Sequence, residues 1–153
     1  MADFKRILLA VDFSKDSEFL IKRAMELANK HDARLFLIHV VVDLRGHLLE
    51  RIFMSSLSDD VEEQMIDSAK KQLRELAERM GVAQTDCIIE VGSPKAGILK
   101  TVREHDIDLI VVGNHGVGGT DILLGSTAYT ILHKSPVDVF VIRLPKNSIS
   151  VEI

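Results

Sequence analysis

Gly113-Asn114-His115-Gly116-Val117-Gly118-Gly119-Thr120 follows directly on the apolar run Leu109-Ile110-Val111-Val112. Glycines just after a buried strand permit positive φ angles and let the backbone approach a ligand closely. Taken alone, the four glycines read equally well as a flexible connection. Gly125-Ser126-Thr127 shifts the balance, because it opens a short helix predicted over Ser126 to Lys134 and gathers two hydroxyls and unpaired backbone N–H groups at one point. That is a pocket for phosphate. The common nucleotide signatures do not fit: no Lys follows the glycines as a Walker loop needs, and Asp121 stands where G-x-G-x-x-G requires its third glycine. Without a Lys or Arg aimed at a transferring phosphoryl group, fast hydrolysis is not expected.

Asp12, at the end of the first strand, either caps the next helix or meets a ribose, a base or a metal-associated water; its position favours the second. His39 lies in an apolar strand and reads as a satisfied core histidine rather than a ligand. His115 sits inside the glycine loop, near any phosphate, with no nucleophile to serve as a base. Cys87 has no nearby His or second Cys and reads as core. No metal cluster is evident, so Mg²⁺ is expected only with a triphosphate, held largely by phosphate oxygens and water.

The elements that must position these residues alternate along the chain. Ile7 to Val11, Leu35 to Val41, Cys87 to Val91, Leu109 to Val112 and Val137 to Ile142 are runs of branched apolar residues, as in strands buried on both faces. Between them lie helical patterns. Ser14 is the expected cap of the first, in which Leu20, Ala24, Leu27 and Ala28 share a face. Val61, Met65, Ala69, Leu73, Leu76 and Met80 stripe the long second one, which opens at Ser58 and stops at Gly81. Ser93-Pro94 starts the third. Asp43 to Leu57 is an irregular connection whose apolar cluster, Leu48, Leu49, Ile52, Phe53 and Met54, suits a short helix, a lid or a subunit contact equally. The pattern predicts an α/β fold: one doubly wound, five-stranded parallel sheet, order 3-2-1-4-5, with helices on both faces. Ligands bind such a sheet beyond the carboxyl ends of its strands, where the order reverses.

Leu8-Leu9-Ala10-Val11-Asp12-Phe13-Ser14, Leu37-Ile38-His39-Val40 and Val111-Val112-Gly113-Asn114-His115-Gly116 through Gly125-Ser126-Thr127 resemble universal stress proteins, and the likeness covers essentially the whole chain. The resemblance implies an adenine nucleotide alpha-hydrolase-like fold. In nucleotide-binding members a glycine pattern holds ribose and phosphates; Gly113, Gly116, Gly125 and Ser126 match its residue types, with Val117 to Leu124 one residue shorter than the family's gap. By the same resemblance Asp12 and Val40 contact the adenosine end, and Val112 lines the base or ribose pocket. Ser126 and Thr127 reach phosphate, and Ala10, Val11, Asn114 and His115 complete the binding set. ATP or AMP is the implied ligand, and a homodimer through the edge of the fifth strand the implied assembly.

Composition bounds the rest. The 153 residues suit one domain, over 1–145, with a tail at 146–153. A formal charge of −4, with Lys and Arg scattered, argues against nucleic acid as a partner. No apolar run reaches the roughly 20 residues of a membrane span, and Met1 to Arg6 do not resemble a leader. A single cysteine fits a reducing compartment, so the expected location is the cytoplasm. Three readings follow: a regulatory module that binds ATP or AMP in the stress response, a slow ATPase or nucleotidyl enzyme on the same fold, and a ligand-free dimeric stress protein.

Overall fold

A computed structural model describes residues 3–42, 58–114 and 126–145. The expectations for Asp43 to Leu57, for the loop over 115–125 and for the tail lie outside the described residues. Five strands, β1 (Arg6–Ala10), β2 (Arg34–Val42), β3 (Cys87–Gly92), β4 (Leu109–Gly113) and β5 (Asp138–Ile142), alternate with helices α1 (Ser17–His31), α2 (Ser58–Met80), α3 (Pro94–Glu104) and α4 (Ser126–Lys134). The strands pair in parallel in the order β3-β2-β1-β4-β5. This is the expected doubly wound sheet, with β1 at its centre and the order reversing between β1 and β4.

Each face of the sheet carries its own core, as the two-residue period of a strand requires. Ile7, Leu9, Val11, Leu37, Leu109 and Val111 pack under α1 and α2, against Leu20, Ile21, Ala24, Leu73, Leu76 and Ala77. Leu8, Phe36, Ile38, Val40, Ile110 and Val112 pack under α3 and α4, against Ile98, Val102, Ala128 and Ile131. Ile7, Leu8 and Leu9 are wholly buried, at about 1.5–3 kcal/mol for each large side chain removed from water. Such a strand cannot lie at an edge.

The helix ends follow local chemistry. Ser93 Oγ accepts the Ala96 N–H with Pro94 in the first helical position, as expected. Gly81, at φ +79°, ends α2 in the left-handed conformation that glycine adopts without strain. The start of α1 differs from expectation. Ser14 does not cap it: the helix begins at Ser17, and Asp16, at the cap position, makes no side-chain cap hydrogen bond. Instead the Ser14 carbonyl accepts the Ser17 N–H at 3.0 Å and its hydroxyl accepts the Asp16 N–H at 3.3 Å, so Ser14 closes a turn that precedes the helix. Along α2, the buried side chains among the described residues are Ala69, Leu73, Leu76 and Ala77; Val61 and Met65 stay 36% and 37% exposed.

The amino end of the sheet is fastened by polar contacts. The Asp108 carboxylate accepts the Lys5 and Arg6 N–H groups at 2.8 and 3.0 Å, and Arg6 Nε donates to the His105 carbonyl at 2.6 Å. Arg34 Nε donates to Asp86 Oδ1 at 2.8 Å, and that hydrogen bond and charge hold the guanidinium pKa above its ordinary value. Both guanidiniums lie over the Phe36 ring, at 4.8 and 4.9 Å.

Candidate functional site

At the opposite, carboxyl end, the switch point lies between the exits of β1 and β4. Leu9 stands beside Val111, and Ala10 beside Ile38. Ala10, Val40 and Val112 therefore belong to the α3/α4 face, where Val40 and Val112 are buried and Ala10 is half-buried. Together they form an apolar wall on the side of the sheet that α4 covers with Ala128 and Ile131. Val11 is separated from this group: its side chain is buried in the α1/α2 core, and its backbone N–H and carbonyl are engaged by Ile38 and His39 of β2.

Asp12 is half-buried just past the last residue of β1. Its Oδ1 accepts the Ser14 N–H at 2.9 Å, the local turn that Asp side chains favour. The carboxylate thus shapes the loop and does not cap α1. Between them, Phe13 takes the left-handed conformation at φ +62°, which costs a non-glycine residue about 1–2 kcal/mol. The environment sustains it: Phe13 stacks on the His39 ring, centroids 4.1 Å apart and planes at 27°, and His39 Nδ1 lies 2.8 Å from the Val11 carbonyl oxygen. His39 is satisfied, as expected, but only half-buried and placed beside the site rather than deep in the core.

The β4 side is built by close packing. Gly113 is half-buried, and a Cβ there would stand 3.2 Å from Leu20 Cδ1 of α1. Glycine lets the Leu20 side chain pack closely here and is not used for a positive φ, which among the described glycines only Gly81 and Gly92 adopt. Asn114 turns towards β5: its N–H donates to the Ile142 carbonyl at 3.0 Å, and its Oδ1 accepts the Leu144 N–H at 2.9 Å. It ties the β4 exit to the β5 exit. Thr127, half-buried, lies in the first turn of α4. His115, Gly116, Gly125 and the Ser126 side chain lie outside the described residues.

The arrangement offers an apolar wall for a flat ring, a carboxylate for a hydroxyl or amine, and a helix N-terminus for an anion. Among the described residues no group of three or more His, Cys, Asp or Glu is placed to hold a metal ion. No helix there is long and apolar enough to cross a membrane. Phe13 and His39 are the residues that sequence reasoning did not assign to the site. Their contacts join positions 26 and 28 residues apart, and no local pattern announces them.

Comparison with known proteins agrees with this architecture. The model of the universal stress protein family matches residues 3–143. Universal stress protein A homolog 2 of Coxiella burnetii is 34% identical over 145 residues, covering 94% of this chain and 98% of the relative. Among solved structures, the universal stress protein UspA from Lactobacillus plantarum superposes with a TM-score of 0.68 at 28% identity, over 94% of this chain and 100% of its own. A universal stress protein solved in complex with cAMP shares the fold, with a TM-score of 0.59 at 22% identity, over 93% and 98% of the two chains. The chain belongs to the universal stress protein family.

Proposed function

We propose that this protein is a regulatory adenine-nucleotide-binding module of the stress response, taking ATP or AMP in the crevice between β1 and β4. The observation that carries the reading is the convergence at the switch point. Ala10, Val40 and Val112 share one face beneath α3 and α4, Asp12 is fixed in a turn just beyond β1, and Thr127 lies in the first turn of α4. In this reading the base rests on the apolar wall and Asp12 meets the adenosine. The phosphates run towards Gly116, Gly125 and the α4 N-terminus, where Ser126 and Thr127 supply hydroxyls. Gly113, Asn114 and His115 carry the chain from β4 into that end.

Binding rather than turnover is the proposed chemistry, because no cation or general base among the described site residues is aimed at a reacting phosphorus. Mg²⁺ enters with the triphosphate, on phosphate oxygens and water. One solved protein of the fold was captured with cAMP, which supports an adenine nucleotide as the ligand and adds the cyclic form to those worth titrating. The β5 edge is the proposed dimer seam: Phe140 is 42% exposed at its centre, and an apolar edge invites pairing with a second copy. The cytoplasm is the proposed location.

Calorimetric titration with ATP, AMP and cAMP, with and without Mg²⁺, tests the reading. One site per chain for at least one adenine nucleotide, with GTP much weaker, is the expected result; no heat with any of them rejects it.

A further inference from the structure

His39 makes two contacts that converge on one turn. Its Nδ1 meets the Val11 carbonyl oxygen at 2.8 Å, and its ring stacks on Phe13 at 4.1 Å. Val11 is itself anchored from β2, its N–H donating to the Ile38 carbonyl at 2.9 Å. Val11 and Phe13 flank Asp12, so adjacent residues of β2 grip the chain on both sides of the carboxylate. Within that grip Phe13 holds φ +62°, a conformation that an aromatic residue keeps only when its surroundings impose it. The left-handed residue turns the chain so that the Ser14 N–H reaches Asp12 Oδ1 at 2.9 Å.

We propose that His39 is a positioning residue for the nucleotide site: it holds Phe13 in the left-handed turn that fixes the direction of Asp12. The inference rests on the nucleotide reading for its consequence in binding, and on the geometry of the turn for its mechanism. A carbonyl oxygen can only accept, so Nδ1 carries the proton, and the neutral ring has Nε2 as its bare nitrogen. The imidazole thus has a defined tautomer, opposite to the one favoured by free histidine in water. A residue that merely filled space would need neither that tautomer nor a donor at that place.

Two variants separate the donor from the ring. His39→Phe keeps an aromatic partner for Phe13 and removes the donor; His39→Asn places an amide N–H close to the position of Nδ1 and removes the ring. Three measurements are made on folded protein, checked by its thermal transition: the ¹⁵N shifts of the His39 ring, hydrogen exchange at the Ser14 amide, and ATP affinity. The expected ring signature is the Nδ1-protonated tautomer. In His39→Phe, Ser14 exchange accelerates and ATP binds about tenfold more weakly, a change of about 1.4 kcal/mol, within the range of one hydrogen bond. His39→Asn recovers most of both. An Nε2-protonated ring, or a His39→Phe protein with normal Ser14 protection and normal ATP affinity, overturns the proposal. If the natural protein takes no ATP while Ser14 protection still falls in His39→Phe and returns in His39→Asn, the role in the turn stands and the nucleotide reading falls.

Discussion

A Cβ built on Gly97 of α3 would stand 3.1 Å from Val40 Cγ2 in the wall of the candidate site. The helix that covers β2 therefore packs closely here, and a methyl at position 97 would require Val40 to give way by a few tenths of an ångström. Alanine in place of glycine favours a helix by about 1 kcal/mol, while overpacking a core costs about 1–3 kcal/mol. Val40 is buried on an interior strand and stiff at χ1, so it has little room to yield. We expect Gly97→Ala to lower stability by about 1 kcal/mol and to weaken adenine-nucleotide binding severalfold. Chemical denaturation and titration read the two effects separately; a more stable protein with unchanged affinity contradicts the packing argument.

Thr101 is wholly buried on α3, and its hydroxyl has no hydrogen-bond partner among the described residues. Replacing it by valine keeps the shape and removes a polar group that water has been taken from. Thr101→Val should raise the unfolding free energy by about 1 kcal/mol, and a urea titration of the two proteins decides it. A loss of stability would mean that the hydroxyl is satisfied in solution.

The Cys87 thiol is pushed above its ordinary pKa of 9.0, first by burial and then by the negative charge of Asp86. A group whose folded pKa is raised contributes stability that is complete below its unfolded pKa and is lost as pH rises through the folded value. The window thus opens near 9.0 and extends upward. The stability of the natural protein, measured against Cys87→Ala, should hold level below that pH and decline above it. A difference that stays flat through the alkaline range removes the effect of burial on the thiol.

Phe140 at the β5 edge gives the assembly a direct probe. A charge in the middle of an exposed edge strand is the usual means by which proteins prevent such pairing. Phe140→Lys should shift the sedimentation of a dimer to that of a monomer at micromolar concentration, with the far-ultraviolet circular dichroism unchanged. A natural protein that already sediments as a monomer rejects the dimer seam.

The sheet was legible because buried parallel strands are written as continuous branched apolar runs, and all five appear within one residue or so of their observed ends. β1 starts a residue earlier than its apolar run because Arg6, though charged, keeps its guanidinium over Phe36 and at the His105 carbonyl. The start of α1 was misplaced for a different reason. Ser14 and Asp16 both favour caps and lie within a single turn, so residue type alone does not decide which of them precedes the helix. For the candidate site, Asp12 was readable from its place at a strand end, whereas the roles of Val40 and Val112 came from the family resemblance. The packing of Gly113 was not readable, because its close neighbour is Leu20 of a helix distant in sequence. Nor was that of His39, whose partners are reached only once β1 and β2 are paired.

The central claim is that an adenine nucleotide occupies the crevice between β1 and β4, and the most direct test is what the purified protein carries. Denaturing it and identifying the released small molecules by mass spectrometry, beside a Gly116→Glu, Gly125→Glu double variant, requires no added ligand. ATP or AMP near one per chain from the natural sequence, and none from the folded variant, is the predicted result. No nucleotide from the natural protein, together with no measurable affinity on titration, would contradict the account and leave the fold as a stress protein without this ligand.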